Sequence, residues 1–173
     1  MASYYYLIAS LPTLRSDGEM PFTYQEFLNC CQSNVSASTY KELSELTLAS
    51  DKGPLMREWA KNYGMLTKEL NYQRSMNLGK SYSGNFEKDY TITQVANAAL
   101  GAKNPLEAEK ILLDYEFEML DTLVGLHTFD DYELFGYAIK LKLLERQQCF
   151  ETEKGKAEFK AIFDEVQQRV YSL

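Results

Sequence analysis

Glu107, Lys110, Asp114, Glu118 and Asp121 are the residues of this chain best spaced for chemistry. Steps of three and four put all five on one face of a helix, and four of them are acidic. Such a strip can hold a metal ion or dock a basic surface. Di-iron helical bundles need a Glu-x-x-His on each of two helices. The only histidine here is His127, and no Glu-x-x-His occurs, so the metal reading fails. A solvated polar face and an acidic docking face remain. Asp114 and Glu118, one turn apart, repel each other by about a few tenths of a kcal/mol.

Other reactive residue types lack the neighbours that chemistry requires. Leu78-Gly79-Lys80-Ser81 ends like a phosphate-binding loop, but that motif needs a glycine where this chain has Arg74. His127 follows a helical pattern, where a cation favours the helix dipole, and no nucleophile accompanies it. Cys30, Cys31 and Cys149 contain no C-x-x-C spacing and read as reduced thiols. Asp130-Asp131 reads as helix capping. Arg57, Lys61, Lys68 and Arg74 outnumber Glu58 and Glu69 on another helical stretch. That strip either pairs with the acidic one inside the molecule or faces outward. No catalytic, cofactor-binding or metal-ligating residue is assigned.

Tyr4, Tyr5 and Tyr6 pose a packing problem, because consecutive residues fan out by about 100° on a helix and alternate faces on a strand. Three adjacent rings cannot enter one core. The triplet is either a terminal staple on the core or a contact surface for a partner, since tyrosine is enriched in interfaces.

The elements that position these residues are helical. Thr23-x-x-Glu26 is a capping box for a helix through Phe27, Leu28 and Cys31. Residues Ser36 to Ser38 precede a helix carrying Tyr40, Leu43, Leu46 and Leu48, ended by Asp51-Lys52-Gly53. Pro54 opens a helix of about 25 residues whose stripe is Leu55, Trp59, Tyr63, Leu66 and Leu70. Gly79 stops it, and Gly64 inside it marks a weak or closely packed point.

Residues 80–85 form a loop. Thr91 opens a helix closed by Gly101. Asn104-Pro105-x-Glu107 opens one that runs to about Leu126, and Asp130-x-x-Glu133 another that reaches about Cys149. Glu153 to Gly155 form a break. Phe159, Ile162, Phe163, Val166 and Val170 then make a single apolar stripe. Only residues 4–11 suit either helix or strand.

The 173-residue chain has 45% hydrophobic and 25% charged residues, the proportions of a folded globular protein. Its net charge of −7 argues against nucleic-acid binding and against electrostatic attachment to anionic lipid. No apolar run reaches the length of a membrane span, and the run from Tyr4 to Leu11 is too short for a signal peptide. Location in the cytoplasm is expected, so the Asn34-Val35-Ser36 glycosylation pattern carries no weight.

Tyr4-Tyr5-Tyr6-Leu7-x-Ala9-Ser10-Leu11-Pro12 resembles the opening of a bacterial protein family encoded among the components of V-type (archaeal-type) ATPases. The cadence of Tyr24-x-x-Phe27-Leu28, Tyr40-x-x-Leu43, Trp59-x-x-x-Tyr63 and Glu69-Leu70-Asn71-x-x-Arg74 is similar to the pseudo-repeated helices of the C/d-type socket component of those ATPases. That all-helical socket joins the rotor stalk to the membrane ring. Complete socket proteins are much longer, so the resemblance implies a shortened relative or a piece of a longer chain.

The expected fold is all-α, a bundle of about seven helices. It forms one domain over residues 1–173, or two socket-like lobes, 1–80 and 90–173, joined near residues 80–90. The resemblance implies a non-catalytic ATPase subunit or accessory with no cofactor. It would meet the central stalk and membrane ring through Tyr4, Tyr5, Tyr6, Glu107, Asp114, Glu118 and Asp121, and sit at the inner membrane only through that complex. The alternatives are a generic helical adaptor and a helical bundle binding a small molecule in an aromatic-lined pocket.

Overall fold

The computed structural model describes residues 4–85, 87–150, 155–156, 159–164 and 167. Among them the regular structure is all helical: α1 (Tyr5–Ser10), α2 (Tyr24–Gln32), α3 (Ala37–Ser44), α4 (Pro54–Asn77), α5 (Tyr90–Leu100), α6 (Pro105–Val124) and α7 (Asp131–Gln148). The opening stretch, open to either reading by sequence, is a helix. Residues 155–156, 159–164 and 167 are also helical.

Local capping explains most helix starts. The Thr23 hydroxyl accepts the Glu26 amide, and the Glu26 carboxylate accepts the Thr23 amide, closing a complete capping box. Asn104 accepts the Glu107 amide at 2.9 Å ahead of Pro105. Glu107 itself reaches back to the Lys103 amide. Asp130 accepts the amides of Tyr132 and Glu133. α5 begins one residue before Thr91, because Asp89 is its cap and accepts the Ile92 amide at 3.0 Å.

α3 is shorter than its sequence pattern suggests. It ends at Ser44, so Leu46 and Leu48 lie in an irregular connection, not on a helix. Leu46 is nevertheless buried, and the Leu48 carbonyl accepts the indole N–H of fully buried Trp59 at 2.9 Å. An indole buried without an acceptor is costly, and the connection between α3 and α4 supplies one.

α7 lies at the centre, packed by α2, α4 and α6. Leu134, Ala138, Ile139, Leu141, Leu143 and Leu144 are buried on several of its sides. The main apolar cluster joins α1, α2, α3, the first half of α4, most of α6 and α7. A smaller one joins Leu66 and Leu70 of α4, Ile92, Ala96 and Ala99 of α5, and Leu112 of α6. α4 and α6 run through both clusters, and helices on either side of the 80–90 loop pack together in the smaller one. The packing is therefore continuous across the expected lobe joint.

Gly64 does not mark a close approach. A methyl group added there would meet no atom within 4 Å. Gly64→Ala should stabilise the protein by about 0.5–1 kcal/mol through helix propensity alone. A rise in the urea midpoint with an unchanged slope is the expected reading.

The described part of the apolar stripe at the end of the chain lies outside the core. Phe159, Ile162 and Phe163 are exposed, and the Phe159 and Phe163 rings stack at 6.3 Å. Val166 and Val170 lie outside the described residues. So do Glu153 and Lys154 of the expected break, whereas Gly155 is helical.

Candidate functional site

The three tyrosines separate into one anchor and two exposed rings. Tyr4 is 5% exposed, Tyr5 53% and Tyr6 86%. The Tyr4 amide donates to the Phe129 carbonyl at 2.7 Å, and its hydroxyl donates to Asp131 Oδ1 at 2.8 Å. These bonds fix α1 to the α6–α7 turn and to the start of α7. Burial raises the Tyr4 pKa above its ordinary value, so the hydroxyl remains a neutral donor.

That turn is itself unusual. Phe129 has a φ of +56°, a left-handed conformation rare for an aromatic residue. Its carbonyl receives Tyr4, and its amide donates to the Glu133 carboxylate, so both neighbouring helices hold it there. Its ring meets Tyr5 edge-on at 4.7 Å, and Tyr5 meets Tyr6 at 5.4 Å. Leu126 on the same turn is 99% exposed. The result is a braced aromatic patch with two tyrosine rings exposed.

His127 serves the following helix. Its Nδ1 lies 2.6 Å from Asp130 Oδ2, and its ring stacks on Tyr132 at 3.9 Å. Burial works against ionisation of Asp130. The bonds from His127 and from the α7 amides outweigh it and hold Asp130 below the usual carboxylate range. His127 thus supports the α7 cap, a structural task one helix further on than its position after α6 suggests.

The acidic strip of α6 is exposed along its length, at Glu107, Lys110, Asp114, Glu118 and Asp121. Asp121 pairs with Lys140 of α7, and Glu107 is occupied by the Lys103 amide. Asp114 and Glu118 have no ion-pair partner among the described residues. Nor do Arg57, Lys61, Lys68 and Arg74, so the basic strip of α4 does not pair with the acidic strip. Both face outward.

The charges that matter internally are others. Arg146 of α7 donates to Glu116 through Nη1 at 3.0 Å and Nη2 at 2.6 Å, and to Glu109 through Nε at 2.6 Å. Glu116 is 2% exposed. Burial raises its pKa, and Arg146 only partly offsets that. Burial likewise opposes the Arg146 charge, but the two carboxylates prevail and keep it protonated. The sequence signal was present: Glu109 and Glu116 fall in register with Leu112, Leu113 and Leu120, the apolar face of α6.

Glu69 is a second buried carboxylate, 1% exposed in α4. Oε1 accepts the Gln73 amide at 2.7 Å, whereas Oε2 has no hydrogen-bond partner among the described residues. Leaving such an oxygen unpaired costs roughly 1–3 kcal/mol. Glu69→Met should therefore raise the urea midpoint, by about 1 kcal/mol of stability, and Gln73 would keep its contact with the Thr93 carbonyl.

Among the described residues, no three His, Cys, Asp or Glu side chains could jointly hold a metal ion. No helix among them is long and apolar enough to cross a membrane. The cysteines are unbridged; Cys31 is buried, and burial pushes its thiol up to about 12. Comparison with family models, curated proteins and solved structures returns no match for this chain.

Proposed function

We propose that this chain is a non-catalytic subunit or accessory of a V-type ATPase, working at the central stalk and membrane ring through protein contacts. The resemblance of residues 4–12 supplies the complex. One structural observation carries the mode of action: Tyr4 clamps α1 to the bundle while Tyr5 and Tyr6 are turned to solvent. A ring held on a rigid element loses little side-chain entropy on binding, which suits a contact surface. Asp114 and Glu118, exposed and unpaired among the described residues, provide a second surface for a basic neighbour.

Affinity purification of the native protein tests the reading. Stalk and ring components of the ATPase should be recovered with it, and Tyr5→Ser/Tyr6→Ser should reduce that recovery. Recovery of unrelated partners from an intact ATPase background would favour a general helical adaptor and overturn the ATPase assignment.

A further inference from the structure

A groove runs between α3, the α3–α4 connection and the first turns of α4 and α7. It comprises two adjoining hollows of about 150 and 240 Å³ that share Glu42, Lys52, Met56 and Phe135. The walls are mainly apolar, formed by Leu46, Leu55, Met56 and Phe135. The rim is acidic: Glu42, Glu45, Asp51 and Asp131 are all exposed. Among the described residues Lys52 is the only basic one lining it, and Lys41 reaches Glu45 from outside at 3.9 Å. Four carboxylates thus face two ammonium groups.

Two helix N-termini also point toward this region, each equivalent to about half a positive charge. That of α7 is already met by Asp130, so the α4 terminus alone does not cancel the rim's negative surplus. Glu42 and Asp51 have no ion-pair partner among the described residues. The Asp131 carboxylate accepts the Tyr4 hydroxyl, which leaves its charge in place and ties the groove to the aromatic patch.

From this combination of apolar walls and acidic rim, we infer that the groove docks a basic amphipathic helix of a partner protein. Apolar side chains one turn apart enter the two hollows, and flanking Lys or Arg residues meet Glu42, Asp51 and Asp131. Grooves between helices accept helices in this way, with anchors at three- and four-residue spacing. The chain's net charge of −7 draws such a partner in, and the rim then fixes its register. The inference rests on the reading of this protein as a contact module and names the chemistry of a partner.

The test uses a fluorescent synthetic peptide of leucine and lysine with leucines at amphipathic helical spacing. Controls are its leucine-to-serine and lysine-to-glutamate counterparts. Binding is read by fluorescence anisotropy and mapped by amide chemical shifts on the full chain. Glu42→Lys/Asp51→Lys should weaken binding by about tenfold or more, and Asp114→Lys/Glu118→Lys, with the same change in net charge, by less than about threefold. Both control peptides should fail to bind, and shifts should cluster at Thr39, Lys52, Leu55 and Phe135.

Equal losses in the two charge variants would overturn the proposal, as would shifts centred on α6, binding by the serine peptide, or no binding. Circular dichroism should show both variants as helical as the wild type. The outcome is separable from the ATPase assignment. Tyr5→Ser/Tyr6→Ser acts on recovery of ATPase components and leaves the groove residues unchanged.

Discussion

Arg146→Met is expected to destabilise the protein by about 3–5 kcal/mol, because it leaves Glu116 buried without its counter-charge. The carboxylate is 2% exposed and receives both terminal nitrogens of Arg146. Among the described residues no other cation is paired with it. Glu116→Met should cost much less. Arg146 retains Glu109, and with 24% of its side chain accessible it can still reach water. Replacing both Glu116 and Arg146 by methionine should recover most of the loss, since a well-packed apolar pair often equals a buried ion pair. Simple addition of the two single costs would exclude coupling between these groups.

The pH dependence follows from the direction of the Glu116 shift. Its folded-state pKa lies above the ordinary 4.5, with burial the main cause. A carboxyl raised on folding binds its proton more tightly in the native state. Its contribution is complete below the unfolded value and is lost as pH rises through the folded one. Without Arg146 both influences that lower the pKa disappear, and the value climbs further. The cost of Arg146→Met is therefore greatest at neutral pH and shrinks as pH falls through the raised value and Glu116 takes up its proton. Urea unfolding of wild type and variant at neutral and mildly acidic pH should show the gap narrowing.

The sequence is legible where the physics is local. A cap depends on a few successive residues, so Thr23 with Glu26, Asn104 with Pro105 and Glu107, and Asp130 all mark their helix starts correctly. The all-helical architecture follows from such starts and from apolar stripes. Legibility fails where a distant residue decides. Leu48 lies beyond the end of α3, and its carbonyl meets the indole of Trp59, eleven residues on. Glu116 is buried because α7 returns antiparallel and brings Arg146 across from thirty positions away. The strip richest in chemistry by spacing, Asp114 to Asp121, is legible as one face, but only tertiary structure shows that it is solvated. The groove bounded by Glu42, Asp51 and Phe135 joins three separate stretches and leaves no local signature.

The tyrosine triplet follows the same logic, and its members should behave unequally. Tyr4→Ser removes a buried ring together with a hydroxyl bonded to Asp131, and should cost roughly 3 kcal/mol. Tyr4→Phe keeps the ring and loses only the hydrogen bond, at about 1 kcal/mol. Asp131 is exposed, so water replaces the lost donor. Tyr6→Ser, at a site 86% exposed, should stay within about 0.5 kcal/mol of wild type. Tyr5→Ser gives up its edge-on contact with Phe129 and should fall between, at about 1 kcal/mol. Changing all three at once would confuse anchor with contact surface. Taken singly they separate the staple from the contact surface: Tyr4 moves the melting temperature, and Tyr5 and Tyr6 move partner recovery. If Tyr4→Phe abolished recovery while remaining folded, α1 would be more than a bracket, because its hydroxyl would then be acting on the partner through Asp131.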